Sequence, residues 1–177
     1  MKKYEFTGET KEIRLLFRTA TLHRIRATVA FGIVEVGDLG GWIEKEENLS
    51  HEGKAWVWGN AEVWGNAKVW GNAEVCGDAK VWGNAKVCGD AKVFSASHVL
   101  VIGAIGSRND FTTFYRDKDN EITVKCGCFL GKIDRFLEKV TQTHGDSKYA
   151  LVYRAAVEVA KLQIDLSGEA PKDADEE

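Results

Sequence analysis

From Val57 to Lys92 the sequence repeats one six-residue unit without a break: VWGNAE, VWGNAK, VWGNAE, VCGDAK, VWGNAK, VCGDAK. Weaker copies flank it, HEGKAW at 51–56 and VFSASH at 93–98. A strict period restricts the fold more than any other feature, because neighbouring units must adopt the same local structure and stack. The β-branched valine suits a pleated strand, and the residues on either side of it face the opposite way. Val57, Val63, Val69, Val75, Val81, Val87 and Val93 are therefore expected to point inward, with Trp56 and Trp58 pointing out. Gly-Asn or Gly-Asp then turns the chain, since these residue types tolerate left-handed backbone angles. Alanine follows at the corner, where only a small inward side chain fits.

This period-six pattern of aliphatic, turn and small residues resembles the hexapeptide repeat of left-handed parallel β-helices. The resemblance implies three hexads, or 18 residues, per triangular coil. The expected fold is mainly β with C-terminal helices (α+β), built on a short left-handed parallel β-helix, a three-sided β-solenoid, at 51–98. An N-terminal β cap at 1–50 and a β-hairpin plus two helices at 99–166 close it, and 167–177 is an acidic disordered tail. Residues 18 apart then lie about 4.8 Å from each other. Glu62 falls beneath Lys80 and Glu74 beneath Lys92 as opposite-charge pairs. Lys68 over Lys86 is a like-charge exception without an explanation.

The outward positions carry the candidate site. Trp56, Trp58, Cys76 and Phe94 fall on one side, Trp64 and Trp82 with Leu100 on the next, and Trp70 with Cys88 on the third. One tryptophan offers roughly 150–250 Å², so a bare side exceeds the roughly 300–600 Å² patch of an ordinary monomer. The chain's own terminal segments could cover these aromatics, or a second subunit or partner could. Repeat drift without purpose is the third reading. Self-association into a dimer or trimer is the expected outcome.

In the flanks, Tyr4–Phe6, Leu22–Ala27 and Val34–Val36 read as short strands, and 37–42 as a turn-rich lead into Ile43. Its glycines lack the spacing of a P-loop or Rossmann fingerprint. Val99–Ile102 reads as a buried strand, and Phe111–Tyr115 and Ile122–Cys128 as a hairpin around Asp117–Asn120. That loop has too few carboxylates for calcium. Cys126 and Cys128 are placed on one strand face, and two thiols without a second Cys/His pair do not make a zinc site. Ile133, Phe136, Leu137 and Val140 form one helical stripe, ended by Gly145, with Asp146 or Ser147 capping the next helix. That last helix, 147–164, has a broad apolar surface of Leu151, Val152, Ala155, Ala156, Val159 and Leu162.

With 24 basic against 27 acidic residues, nothing marks a general nucleic-acid or membrane-surface binder. No apolar run approaches the roughly 20 residues of a membrane span, and Met1-Lys2-Lys3 leads into no apolar leader region. A soluble cytoplasmic protein with four reduced cysteines is expected.

Hexapeptide β-helix acyltransferases use a histidine base, so His51 and His98 were natural candidates; both sit at ends of the repeat, where capping suits them better. His144-Gly145-Asp146-Ser147 holds triad residue types, yet adjacent residues at a helix junction do not reach triad geometry readily. His23, beside Arg24 and Arg26 in a strand, reads as surface. No catalytic, cofactor or metal set emerges, which leaves an acyltransferase-like enzyme as the alternative to a binding or assembly protein. A cleft holding Arg24, Arg26, Lys45 or Arg108 could receive phosphate. The segments LHRIRA at 22–27, GDLGGWIEKEENLS at 37–50, the VWGNA array and KCGCFLGKIDRFLEKV at 125–140 resemble uncharacterised phage and prophage proteins. That likeness implies a mobile-element setting, including counter-defence by binding a host protein or sequestering a small signalling ligand.

Overall fold

The computed structural model describes residues 2–167, so the tail assigned to 167–177 lies outside it except for Ser167. The N-terminal part forms β1 (Tyr4–Arg14), β2 (Thr19–Ala27) and β3 (Leu39–Ile43). The repeat forms seven two-residue strands. They are β4 (Trp56–Val57), β5 (Glu62–Val63), β6 (Lys68–Val69), β7 (Glu74–Val75), β8 (Lys80–Val81), β9 (Lys86–Val87) and β10 (Lys92–Val93). Strand pairing is parallel, and Glu62 faces Lys80 while Glu74 faces Lys92, in each case 18 residues on. All seven repeat valines and the alanines before them are buried.

The expected single left-handed β-helix is overturned. The strands belong to four separate small sheets, mixed, parallel and antiparallel: β1-β2-β3-β5-β8, β10-β7-β4, β6-β9 and a C-terminal set of four. None of them curls into a solenoid. The physical reason lies in the hexad itself. Two paired residues are followed by four that turn the chain, so main-chain pairing stops at each corner. One stack is also carried on by the antiparallel hairpin β1-β2 through β3, which pairs with β2 on one side and β5 on the other.

The alanine carbonyl is the recurring acceptor of these stacks. Those of Ala73, Ala79, Ala85 and Ala91 take the N–H groups of Trp56, Glu62, Lys68 and Glu74 at 2.9–3.0 Å. At the N-terminal end three such carbonyls need other donors, since buried backbone oxygens rarely go unpaired. Ala61 receives the Trp42 N–H at 2.9 Å. Ala55 receives the Lys3 ammonium at 2.7 Å and Ala67 the Asn48 side-chain amide at 2.8 Å. Lys3 and Asn48, both buried, thus do the work of a missing strand.

Residues 37–42, expected as a turn, contain the start of β3. Gly40 and Gly41 serve there for close approach: a Cβ on Gly41 would lie 2.6 Å from the Ala61 oxygen. Val34–Val36 forms no strand; Val34 makes one isolated bridge to Phe31. In the turns, Gly53 has φ +73° and a Cβ on it would meet the Gly71 oxygen at 2.6 Å, so both backbone angle and space demand glycine.

After the repeat come β11 (Val99–Ile105), β12 (Asp110–Arg116), β13 (Ile122–Cys126) and β14 (Phe129–Lys132), an antiparallel sheet in that order. Then follow α1 (Ile133–His144) and α2 (Lys148–Gln163). The sheet is a middle layer. Its alternate residues Val99, Val101 and Tyr115 pack on the repeat core, while Leu100, Ile102 and Phe114 pack with Phe136, Val140 and Val157 of the helices. The Tyr115 hydroxyl donates to the Cys88 carbonyl at 2.9 Å, closing the C-terminal end of one stack. Strand β13 stops at Cys126, so Cys128 lies in the turn to β14 and the two thiols do not share a strand face. Among the described residues no helix is long and apolar enough to cross a membrane.

Candidate functional site

Each stack ends, on its C-terminal side, in a strand whose outward N–H groups need acceptors. For β9 the Lys86 N–H finds the Thr113 hydroxyl at 3.0 Å. Beside β10 the Phe94 N–H finds His98 Nδ1 at 3.1 Å. The Cys88 N–H beyond β9 has no acceptor among the described residues, and at strand β8 neither outward N–H has one. Strand β8 is the edge of its five-stranded sheet, and among the described residues nothing accepts from the Lys80 or Trp82 N–H. The chain breaks from the period at Ser95-Ala96-Ser97-His98, which makes a 3-10 turn. It then enters β11, which pairs antiparallel with β12 and adds nothing to β8.

A cavity of about 480 Å³ occupies the vacant rung, between Lys80–Ala85 on one side and Val99, Leu100, Val101 and Phe111 on the other. Trp82 stands over it, 60% exposed. Its indole stacks on Trp64, with centroids 6.0 Å apart and planes within 7°. One face of Trp82 is therefore fixed and the other is open. Lys80 lies 4.0 Å from Glu62, whose other oxygen is held by Lys11 at 2.7 Å. Fixed main-chain donors, an open indole face and an apolar hollow together can receive an extended backbone with its side chains.

The other candidate aromatics do not join this site. Trp56 is buried, edge-on to Tyr4, Phe31 and Trp58 at centroid distances of 6.2, 5.4 and 6.4 Å. The N-terminal segment thus covers it. Phe94 meets the His98 ring at 6.2 Å. Trp70 lines a separate shallow cleft with His51 and Lys68.

The histidines hold structure. His51 stacks on Tyr4 at 4.3 Å and its Nδ1 accepts the Lys3 N–H at 3.1 Å. His98 Nε2 lies 3.2 Å from the Arg116 guanidinium. Burial holds both imidazoles below their ordinary pKa, and Arg116 lowers His98 further. His23 stacks on Phe6, and His144 lies near Tyr149 and Tyr153 while Asp146 points to solvent toward Arg154. Arg24 and Arg26 pair with Glu9 and Glu5 on β1, so they do not converge with Arg108, which lines a different cleft. No group of three or more His, Cys, Asp or Glu that could hold a metal occurs among the described residues. Cys76 is pushed up to about 12 by burial, with Glu74 adding to it, and burial also raises Cys88.

No family model matches this sequence, and no curated protein matches it either.

Reasoning from sequence places Trp82 and Leu100 on one side but misses the free edge, because VWGNAK at 81–86 reads like the other hexads. The one signal is the loss of Gly-Asn at 95–98, where the chain departs from the period.

Proposed function

We propose that this chain is a non-catalytic binding protein that takes an extended segment of a protein partner onto the free edge of β8. The observation that carries the reading is the pair of unclaimed N–H groups of Lys80 and Trp82 beside an open indole and a cavity of about 480 Å³. A strand laid there gains main-chain hydrogen bonds, and its alternate side chains enter the hollow. The best-suited segment places an acidic residue opposite Lys80 and an aromatic one over Trp82, as Glu62 and Trp64 do from the other side. In the phage or prophage setting that the sequence resembles, the partner is a host protein in the host cytoplasm and the outcome is counter-defence.

A second reading, self-association, is favoured by α2. Its residues Leu151, Val152, Val159 and Leu162 are 59, 40, 47 and 90% exposed and fall on one stripe, away from buried Tyr153, Val157 and Ala160. An acyltransferase-like reading has less behind it, since His51 and His98 each use Nδ1 on a backbone N–H.

The test uses the full chain exposed to host lysate, with Trp82→Glu as the variant and circular dichroism to check its fold. A partner should bind the wild type, be lost with Trp82→Glu, and protect the Lys80 and Trp82 amides from hydrogen exchange. A partner that binds the variant equally, or leaves those amides exchanging freely, refutes strand addition. A chain that recovers no partner and sediments as a monomer at micromolar concentration refutes both readings.

A further inference from the structure

On the other face of the C-terminal sheet lies a second cleft, of about 250 Å³, between the β11–β12 turn, the β13–β14 turn and the two helices. Its floor is aromatic: Phe136 lies 5.3 Å from Phe129 and 5.6 Å from Tyr153. Its rim is basic, with Arg108, Lys139 and His144 all lining it, and Ser107 beside them.

The fold fixes the backbone that carries these groups. Arg108 belongs to the turn Gly106–Asn109, closed by the Asn109 N–H on the Gly106 carbonyl at 3.3 Å. That turn is seated on α2 so closely that a Cβ on Gly106 would come within 1.9 Å of the Tyr153 hydroxyl oxygen. Lys139 and Thr143, one turn apart on α1, share the face that lines the cleft. The His144 ring is held between Tyr149 and Tyr153, at 6.0 and 5.8 Å.

Arg108 and Lys139, both exposed, have no side-chain hydrogen bond or ion pair among the described residues, as is also true of Arg14, Lys68 and Lys86; what sets these two apart is that they line one aromatic cleft together. Arg18, Arg24, Arg26, Arg135 and Arg154, by contrast, each hold a carboxylate. The one acidic lining residue, Asp110, already accepts the Phe111 N–H at 2.7 Å.

We infer that this cleft binds a small phosphate monoester carrying a planar ring. A planar guanidinium, an ammonium and a hydroxyl on one rim match the several acceptor oxygens of a phosphoryl group. A neutral ligand would gain nothing from these cations. The aromatic floor accommodates the ring by stacking or edge contact. About 250 Å³ is on the scale of a phosphate with a single ring system. The site goes beyond the β8 edge and uses none of its residues.

The test is titration of the full chain with adenosine 5′-monophosphate, inorganic phosphate and adenosine, by calorimetry and by amide NMR. The monophosphate should shift amides at 106–110, 127–129 and 139–144, and should bind about tenfold or more tighter than adenosine. Arg108→Gln and Lys139→Gln should each weaken it by about tenfold or more with helical content retained. Trp82→Glu should bind it as the wild type does, which separates this site from the β8 edge. Inorganic phosphate should shift the same rim amides more weakly. Equal binding of adenosine, unchanged binding in Arg108→Gln, or no shifts at millimolar ligand would each overturn the assignment.

Discussion

Replacing Asn48 by alanine isolates how the N-terminal end of the repeat is closed. Asn48 is fully buried. Its amide nitrogen donates to the Ala67 carbonyl at 2.8 Å and the Gly65 carbonyl at 3.2 Å, and its oxygen accepts the Lys45 N–H at 2.9 Å. Alanine leaves all three backbone groups without that partner. A buried polar group left unpaired costs about 1–3 kcal/mol; with the longer Gly65 bond contributing least, the loss should be about 3–5 kcal/mol. Asn66, in contrast, is exposed and reaches only Asn84 Oδ1, at 3.4 Å. Asn66→Ala should therefore cost under about 0.5 kcal/mol. Asn48→Asp keeps the acceptor for Lys45 but sets a carboxylate against two carbonyl oxygens, so it should fall at least as far as alanine. Urea unfolding followed by circular dichroism reads all three, with midpoints compared at unchanged slope. If Asn48→Ala came within about 1 kcal/mol of Asn66→Ala, the accounting of alanine carbonyls would be wrong.

Two further predictions concern titratable groups. In the folded protein at pH 8 a thiol reagent should label exposed Cys128 first. Cys76, held at about 12 by burial, and buried Cys88 should react only after denaturant is added; four equivalents released at once would contradict their placement. Burial lowers Lys3 from 10.5 to about 8. Between those pH values the unfolded chain holds more protons than the folded one, so this group makes stability rise with pH across that window. Tyr4, Tyr115 and Cys76, whose burial raises them, act in the opposite sense at higher pH. The check is therefore a difference: from pH 8 to 10, wild type should gain urea midpoint relative to Lys3→Met, and parallel curves would refute the assignment.

Much of the interior was legible because the hexad encodes it twice. A β-branched residue and a small one recur at fixed places, and all of Val57 through Val93 and Ala55 through Ala91 are buried as read. The Asp117 turn and both helices announce themselves by turn chemistry and by period. The assignment of strands to sheets was not legible, since a period says which residues go inside and not where main-chain pairing stops. Gly40-Gly41 reads as a turn, yet both glycines are in a strand because another backbone passes where a Cβ would be. Trp56 reads as outward and bare, but Tyr4 and Phe31, far away in sequence, close over it. Strand β14 was hidden because its Cys128-Phe129-Leu130 lead-in looks like a continuation of β13.

The candidate site follows from how the two ends of the repeat differ. At the N-terminal end every stack meets a donor supplied from outside the hexads: Lys3 at Ala55, Trp42 at Ala61, Asn48 at Ala67. At the C-terminal end the middle sheet must serve two masters, because β12 presents Thr113 and Tyr115 to the repeat and Phe114 to the helices. A strand committed to both layers runs across the ends of the stacks and can close only those it crosses. It reaches β9 through Thr113, and β10 is closed locally by His98. The stack ending in β8 is left over, and this is also the stack whose outward column holds Trp64 and Trp82. A chain needing only a capped core could fill that rung with a third hexad on the same side, at the position of 98–100, in the register the repeat already supplies. Here Val99 and Leu100 turn to β12 instead, and an indole, two N–H groups and an apolar hollow remain facing outward together. Exposed edges are a hazard that folded chains usually blunt, and the proposed strand addition would cover this one.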